Sequence, residues 1–176
     1  MRAGQRGFTL TELLAVVAIM GILATLALAG FVSHSKASKT GEAMAVVSAI
    51  RAAEERYRSE HQVYLDVNST KWWPTTGVGD KRTSFHNPED AEYVALWSRL
   101  NPAVNRPVGF GYRVNSGLPG AALPVVETNK KFASGATVTE PWYVVQAQAD
   151  ADSDGKFCRV VASSMNPEII VENEGE

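Results

Sequence analysis

The chain has 176 residues, 45% of them hydrophobic, and a formal net charge of −2. That length and balance suit one soluble domain on an apolar stem. The basic residues are scattered and never interleave with stacking aromatics, which excludes a nucleic-acid-binding surface. Cys158 is the single cysteine, so no intramolecular disulfide can staple the fold.

The first seven residues, Met1–Gly7, carry Arg2 and Arg6 and end in glycine. Phe8-Thr9-Leu10-Thr11-Glu12 follows, and from Leu13 to Val32 only Gly21, Thr25 and Gly30 interrupt the apolar residues. Roughly twenty such residues are long enough for a helix to cross a bilayer core. The exception is Glu12, because a carboxylate near the centre of a membrane helix costs roughly 2.5–3.5 kcal/mol, and less near the interface. Glu12 therefore either snorkels into the headgroups or meets a cation. Ala27-Leu28-Ala29 offers a passable cleavage site for an ordinary secretory signal, but such a signal gains nothing from an acid in its apolar core. Arg2 and Arg6 on one side and Lys36 and Lys39 on the other leave orientation nearly tied by positive charge.

A short basic leader ending in Gly7, then Phe8-Thr9-Leu10, then Glu12 at the fifth position counted from Phe8, then an unbroken apolar helix, resembles the class III signal of type IV pilins. The resemblance implies cleavage between Gly7 and Phe8 on the cytoplasmic side by a prepilin peptidase that also N-methylates Phe8. It implies a role in assembly for Glu12, whose carboxylate meets the terminal ammonium of a neighbouring subunit. The partners it implies are further copies of the chain and other pilins, an inner-membrane assembly platform and a cytoplasmic ATPase motor. The precursor is then a single-pass inner-membrane protein and the assembled form an extracellular filament for attachment or motility. A pseudopilin of a type II secretion system shares the same leader and is the alternative. Two residues depart from the family pattern: Thr11 replaces a branched aliphatic residue, and Ala29 stands where most members carry a proline.

After Val32 the chain turns polar without breaking. Ala43, Val46, Val47, Ile50, Ala53 and Tyr57 recur at three- and four-residue steps, so the helix is expected to continue to His61 with an amphipathic half over 33–61. Arg51 with Glu55, and Glu54 with Arg58, are spaced for ion pairs along its other face. Residues 62–86, with Trp72-Trp73-Pro74 and Gly77–Asp80, read as an irregular connection in which at least one tryptophan buries against the helix. Asn87-Pro88-Glu89-Asp90 predicts a short helix with Asn87 as its cap, ending at Asn101-Pro102. Strands are expected at 108–114, 142–147, 157–162 and 169–171, with a long connection over 115–141 and a ragged strand at 123–126. The expected fold is α+β: a long N-terminal helix under a four-stranded antiparallel sheet. Its parts are a leader (1–7), a membrane or filament-core half (8–32), an amphipathic half (33–61) and a globular region (62–176).

Asp150, Asp152 and Asp154 alternate before Gly155, the spacing of the first half of a calcium loop. The twelfth position is Val161 and not the bidentate glutamate of a complete loop, so calcium stands against a plain hairpin turn in which aspartates cap their own backbone. No organic cofactor is expected. His34, His61 and His86 are dispersed and no nucleophile elbow or phosphate loop is present, so no enzyme is expected.

Overall fold

The computed structural model describes residues 8–126, 128 and 138–174. Helix α1 spans Leu10–His61 and crosses two compact units that divide between Ser35 and Lys36. In the first unit the helix is apolar on every side. Leu10–Leu28 is long and apolar enough to cross a membrane, and none of it is buried within the chain. Ala29 and Gly30 continue the helix without a break.

The second unit holds the core. Ala43, Val46, Val47, Ile50 and Ala53 of α1 are buried in one cluster with Tyr112, Val114, Tyr143, Val145, Ala147, Val160 and Ala162 of the sheet. The three- and four-residue spacing therefore does what it predicts, turning one helix face to the sheet. The helix stops where Gln62 takes a left-handed φ of 64° and its N–H bonds back to the Arg58 carbonyl at 2.8 Å.

The sheet is an antiparallel meander in the order β1 (Asn68–Trp73), β2 (Gly111–Gly117), β3 (Trp142–Ala149), β4 (Cys158–Ser163) and β5 (Ile170–Glu172). Five strands replace the expected four. The added one, β1, lies in the segment read as irregular, because its pairing with β2 is a long-range contact that its own residues do not announce. Its register breaks between Asn68 and Trp73, and Pro74 follows it across a cis peptide bond. Trp73 is buried and donates its indole N–H to the Phe85 carbonyl at 2.9 Å, while Trp72 is half-buried with the Arg113 guanidinium 4.3 Å from its ring.

Strand β3 is central and buried along its whole length. Tyr143, Val145 and Ala147 face α1, whereas Trp142 and Val144 join Val161 on the opposite face. That second face is covered by Leu123, Val126 and Val138 from the long connection. Leu123–Val126 is not a strand; it packs on the sheet by side chains without pairing along an edge. Gly117 makes room for this layer, since a Cβ there would lie 2.4 Å from the Trp142 ring.

Two local expectations are corrected. The short helix occupies 91–100, and Asp90, not Asn87, caps it: Asp90 Oδ1 accepts the N–H of Glu92 at 2.8 Å and of Tyr93 at 3.2 Å. Asn87 instead closes a turn, accepting the Asp90 N–H on its carbonyl. Residues Tyr93–Trp97 of this helix are π-helical and Ser98–Leu100 are α-helical. Nor do the Arg51–Glu55 and Glu54–Arg58 pairs form. Arg51 donates to the Pro167 carbonyl at 3.1 Å, Glu54 accepts the Leu65 N–H at 3.0 Å, and Tyr64 takes Glu55 and Arg58, donating to the first at 3.1 Å and accepting from the second at 2.8 Å. Tertiary partners win because an exposed four-residue pair contributes only ~0.3–0.5 kcal/mol.

Candidate functional site: the start of the long helix and the acidic loop

Phe8 and Thr9 precede α1 and are not helical, and Phe8 is 88% exposed. Gly7 lies outside the described residues. The first helical hydrogen bond runs from the Leu13 N–H to the Thr9 carbonyl at 3.2 Å, which makes Thr9 the residue that opens the helix. One oxygen of Glu12, Oε2, accepts the Thr9 N–H at 2.9 Å and the Thr9 hydroxyl at 2.8 Å, and the Glu12 N–H reaches back to Thr9 Oγ1 at 3.3 Å. This is a reciprocal capping box, Thr-x-x-Glu. The spacing Thr9 to Glu12 signals it in the sequence, a hydrogen-bonding role beyond the charge of Glu12. Thr11 adds a contact to the Thr9 hydroxyl at 3.1 Å.

The aspartates occupy the β3–β4 hairpin. Asp150 is buried, Asp152 and Asp154 are exposed, and one oxygen from each lies within 4.8 Å of the other two. Asp150 accepts the Asp154 N–H on Oδ1 at 3.1 Å and the Gly155 N–H on Oδ2 at 3.0 Å. Gly155 has φ +90°, the left-handed region that a turn of this tightness requires. The loop is held from behind by the 77–79 segment, where Gly79 N–H meets the Asp150 carbonyl at 2.7 Å and Asp150 N–H meets the Gly77 carbonyl at 2.6 Å. Gly77 can only be glycine here, because a Cβ would sit 2.2 Å from the Gln148 carbonyl oxygen.

As a calcium site the donors fit in half. Three carboxylates converge on one side, but Val161 is buried in β4, so it supplies no oxygen on the other. Lys156 already holds Asp154 Oδ2 at 3.0 Å. The hydrogen bonds present are those of a turn that caps itself.

The histidines stand apart: His34 is exposed on α1, His61 stacks on Tyr57 at 4.0 Å, and His86 is hydrogen-bonded to the Tyr93 hydroxyl. Cys158 is buried with its sulfur 3.8 Å from the Thr40 hydroxyl. Within the second unit, His61, His86 and Cys158 each have a separate partner.

An apolar, all-round exposed helix opened by a Thr-Glu cap, and joined to an α+β domain with an antiparallel meander, defines a protein of the pilin-like class. A family model described as the prokaryotic N-terminal methylation motif matches residues 2–28. The type IV major pilin protein PilA of Myxococcus xanthus is 44% identical over 74 residues, 42% of this chain and 34% of the relative. The type IV major pilin protein PilE1 of Neisseria gonorrhoeae is 25% identical over 156 residues, 89% of this chain and 81% of the relative. A fimbrial protein of Pseudomonas aeruginosa is 43% identical over 51 residues, 29% of this chain and 33% of the relative. The chain thus spans about a third of the Myxococcus relative's length and four-fifths of the gonococcal one. No solved structure matches. Residues 2–28 thus match the prokaryotic N-terminal methylation motif, and the chain is similar to type IV major pilins.

Proposed function

We propose that this chain is the non-enzymatic structural subunit of a type IV pilus. In this reading residues 8–32 hold the precursor in the inner membrane, a prepilin peptidase removes the leader 1–7 between Gly7 and Phe8, and the new amino group of Phe8 is methylated. An assembly platform and a cytoplasmic ATPase motor then move the subunit into an extracellular filament that serves attachment and motility. Moving an apolar helix from lipid to a helical filament core exchanges one apolar environment for another, so it is nearly neutral per residue and needs external work. Glu12 gives it direction by pairing with the Phe8 ammonium of a neighbouring copy, since a subunit in the wrong axial register leaves both charges unpaired.

The observation that carries this reading is the methylation motif over residues 2–28 on a helix none of whose Leu10–Leu28 stretch is buried by its own domain. Mass spectrometry of the native N-terminus tests it: the expected product begins with N-methylated Phe8, and material that begins at Met1 or after Ala29 sinks it. Glu12→Ala is expected to insert in the membrane normally and build no fibres; normal fibres from that variant refute the register role.

The acidic hairpin supports a second reading, a pseudopilin of a type II secretion system with Asp150, Asp152 and Asp154 as weak calcium ligands. Imaging of surface filaments separates the two, because the pseudopilin reading expects none outside the cell.

A further inference from the structure

The end of α1 and the end of the short helix enclose a recess of about 250 Å³ lined by Arg56, Tyr57, Glu60, His61, Arg99 and Leu100. Three of these six residues are basic, in a chain whose formal net charge is −2. Helical spacing explains part of the convergence, since Arg56 with Glu60 and Tyr57 with His61 stand four residues apart at the end of α1. The fold supplies the rest: Arg99 arrives from a helix 42 residues further along the chain than Tyr57. Arg56 donates through Nη2 to the Leu100 and Asn101 carbonyls at 2.7 and 3.2 Å, which complements the end of the short helix and fixes the guanidinium plane. Its Nε and Nη1 hydrogens have no acceptor among the described residues. Arg99 touches the Tyr57 hydroxyl at a long 3.4 Å, and the described residues give neither arginine a carboxylate partner. The Tyr57 and His61 rings stack 4.0 Å apart. His61 Nδ1 donates to the Tyr57 carbonyl at 3.1 Å, because a carbonyl only accepts, and this leaves Nε2 as the acceptor of the neutral ring.

The recess thus combines guanidinium donors for an anion, a carboxylate and an imidazole that accept hydroxyl hydrogens, and aromatic rings for an apolar ring face. Charge decides which anion. Two helices end here with their carbonyl ends, and Glu60 adds a full negative charge, so a phosphate dianion is repelled more than a carboxylate. Size decides the rest: the volume lies below the roughly 300–1,000 Å³ of drug-sized pockets and takes a single six-membered ring. We propose that this recess binds a hydroxylated monocarboxylate of the hexuronic acid class. The ligand's carboxylate lies on Arg56 and Arg99, its ring hydroxyls donate to Glu60 and His61, and its C–H face packs on Tyr57. The site lies wholly within the second unit and does not depend on the pilin reading.

The test is a nitrogen-15 NMR titration of the full chain in mild detergent with sodium glucuronate, glucose and sodium phosphate at matched ionic strength. Glucuronate is expected to shift the Arg56, His61 and Arg99 signals with a dissociation constant on the order of 1 mM, ordinary for so small a ligand. Glucose, which lacks the carboxylate, and phosphate, which lacks the hydroxylated ring, should each bind about ten-fold more weakly or worse. Arg99→Gln should weaken glucuronate about ten-fold, the loss of one charge-assisted contact, and leave the rest of the spectrum in place because Arg99 holds only the Tyr57 hydroxyl. Glu60→Gln keeps an acceptor and removes the charge, so phosphate should gain about three-fold relative to glucuronate. Glucuronate shifts that lie elsewhere, or that Arg99→Gln leaves unchanged, overturn the proposal, as does phosphate binding as tightly as glucuronate. So does a recess that stays silent at about 20 mM glucuronate, well above the expected constant. If the recess is silent to glucuronate and Arg99→Gln abolishes self-association, the surface is instead an interface between copies and the ligand site is refuted. None of these outcomes bears on the pilin reading, which the mass of the native N-terminus decides.

Discussion

Glu54 supports the sharpest quantitative prediction. It lies on the core face of α1, is fully buried, and accepts the Leu65 N–H on Oε2 at 3.0 Å while Oε1 has no partner. Burial pushes its carboxyl up from 4.5 to about 8; the Leu65 N–H opposes that shift, and the negative charges of Asp66 and Glu55 add to it. In the unfolded chain the group ionises near its ordinary value, so between the two values the folded state holds a proton that the unfolded state has lost. Stability from this site is therefore full below about pH 4.5, falls as pH rises, and levels off above about pH 8. At ~1.4 kcal/mol per unit, the loss by pH 7 is roughly 3 kcal/mol, a large part of the 5–15 kcal/mol that holds a typical domain. Glu54→Gln keeps the acceptor for Leu65 and cannot ionise, although its amide N–H₂ takes the place of the unpartnered oxygen and costs about 1–3 kcal/mol. Urea unfolding of the full chain in mild detergent, followed by tryptophan fluorescence at pH 5, 6, 7 and 8, is the assay. The wild type should lose roughly 3 kcal/mol across that range and the variant much less, so the two curves converge or cross near neutrality. Parallel curves with the same slope would refute the reasoning, because they would place the titrating proton elsewhere.

Gly117→Ala drives a Cβ to within 2.4 Å of the Trp142 ring on the layered outer face of the sheet, and a loss of about 1–3 kcal/mol in urea unfolding, with altered tryptophan emission, is expected. For the acidic hairpin, a weak site with a dissociation constant near 1 mM would gain roughly 1.4 kcal/mol at 10 mM calcium, a rise in melting temperature of about 3–5 °C. Asp152→Asn should remove that rise, and a melt that calcium does not move leaves Asp150–Gly155 as a turn alone. These two join the outcome expected above for Glu12→Ala.

Sequence alone determined the features that repeat along the chain or sit within one turn of it. The apolar stretch after Glu12, the stripe from Ala43 to Tyr57, the four runs of strand-forming residues from 108 onward and the Asp150–Gly155 turn all depend on neighbours a few residues away, and local residue type and spacing carry them. The Thr9–Glu12 cap belongs to the same kind, since its Thr-x-x-Glu spacing lies within one turn. Tertiary structure decided the rest. Strand β1 exists because β2 offers it an edge, and its own Asn68–Trp73 residues carry no alternation to announce it. Asp90 displaces Asn87 as cap where Tyr93 and Trp97 bury beside Trp73 and Phe85, at ring distances of 5.6 and 5.1 Å. Glu54 looks like half of an exposed ion pair when its helix is drawn alone and becomes a buried acid only when the segment after α1 folds over it to reach Leu65. A side chain's partners across the fold cost or gain several kcal/mol where its helical neighbours contribute tenths, so the long-range contacts set its state.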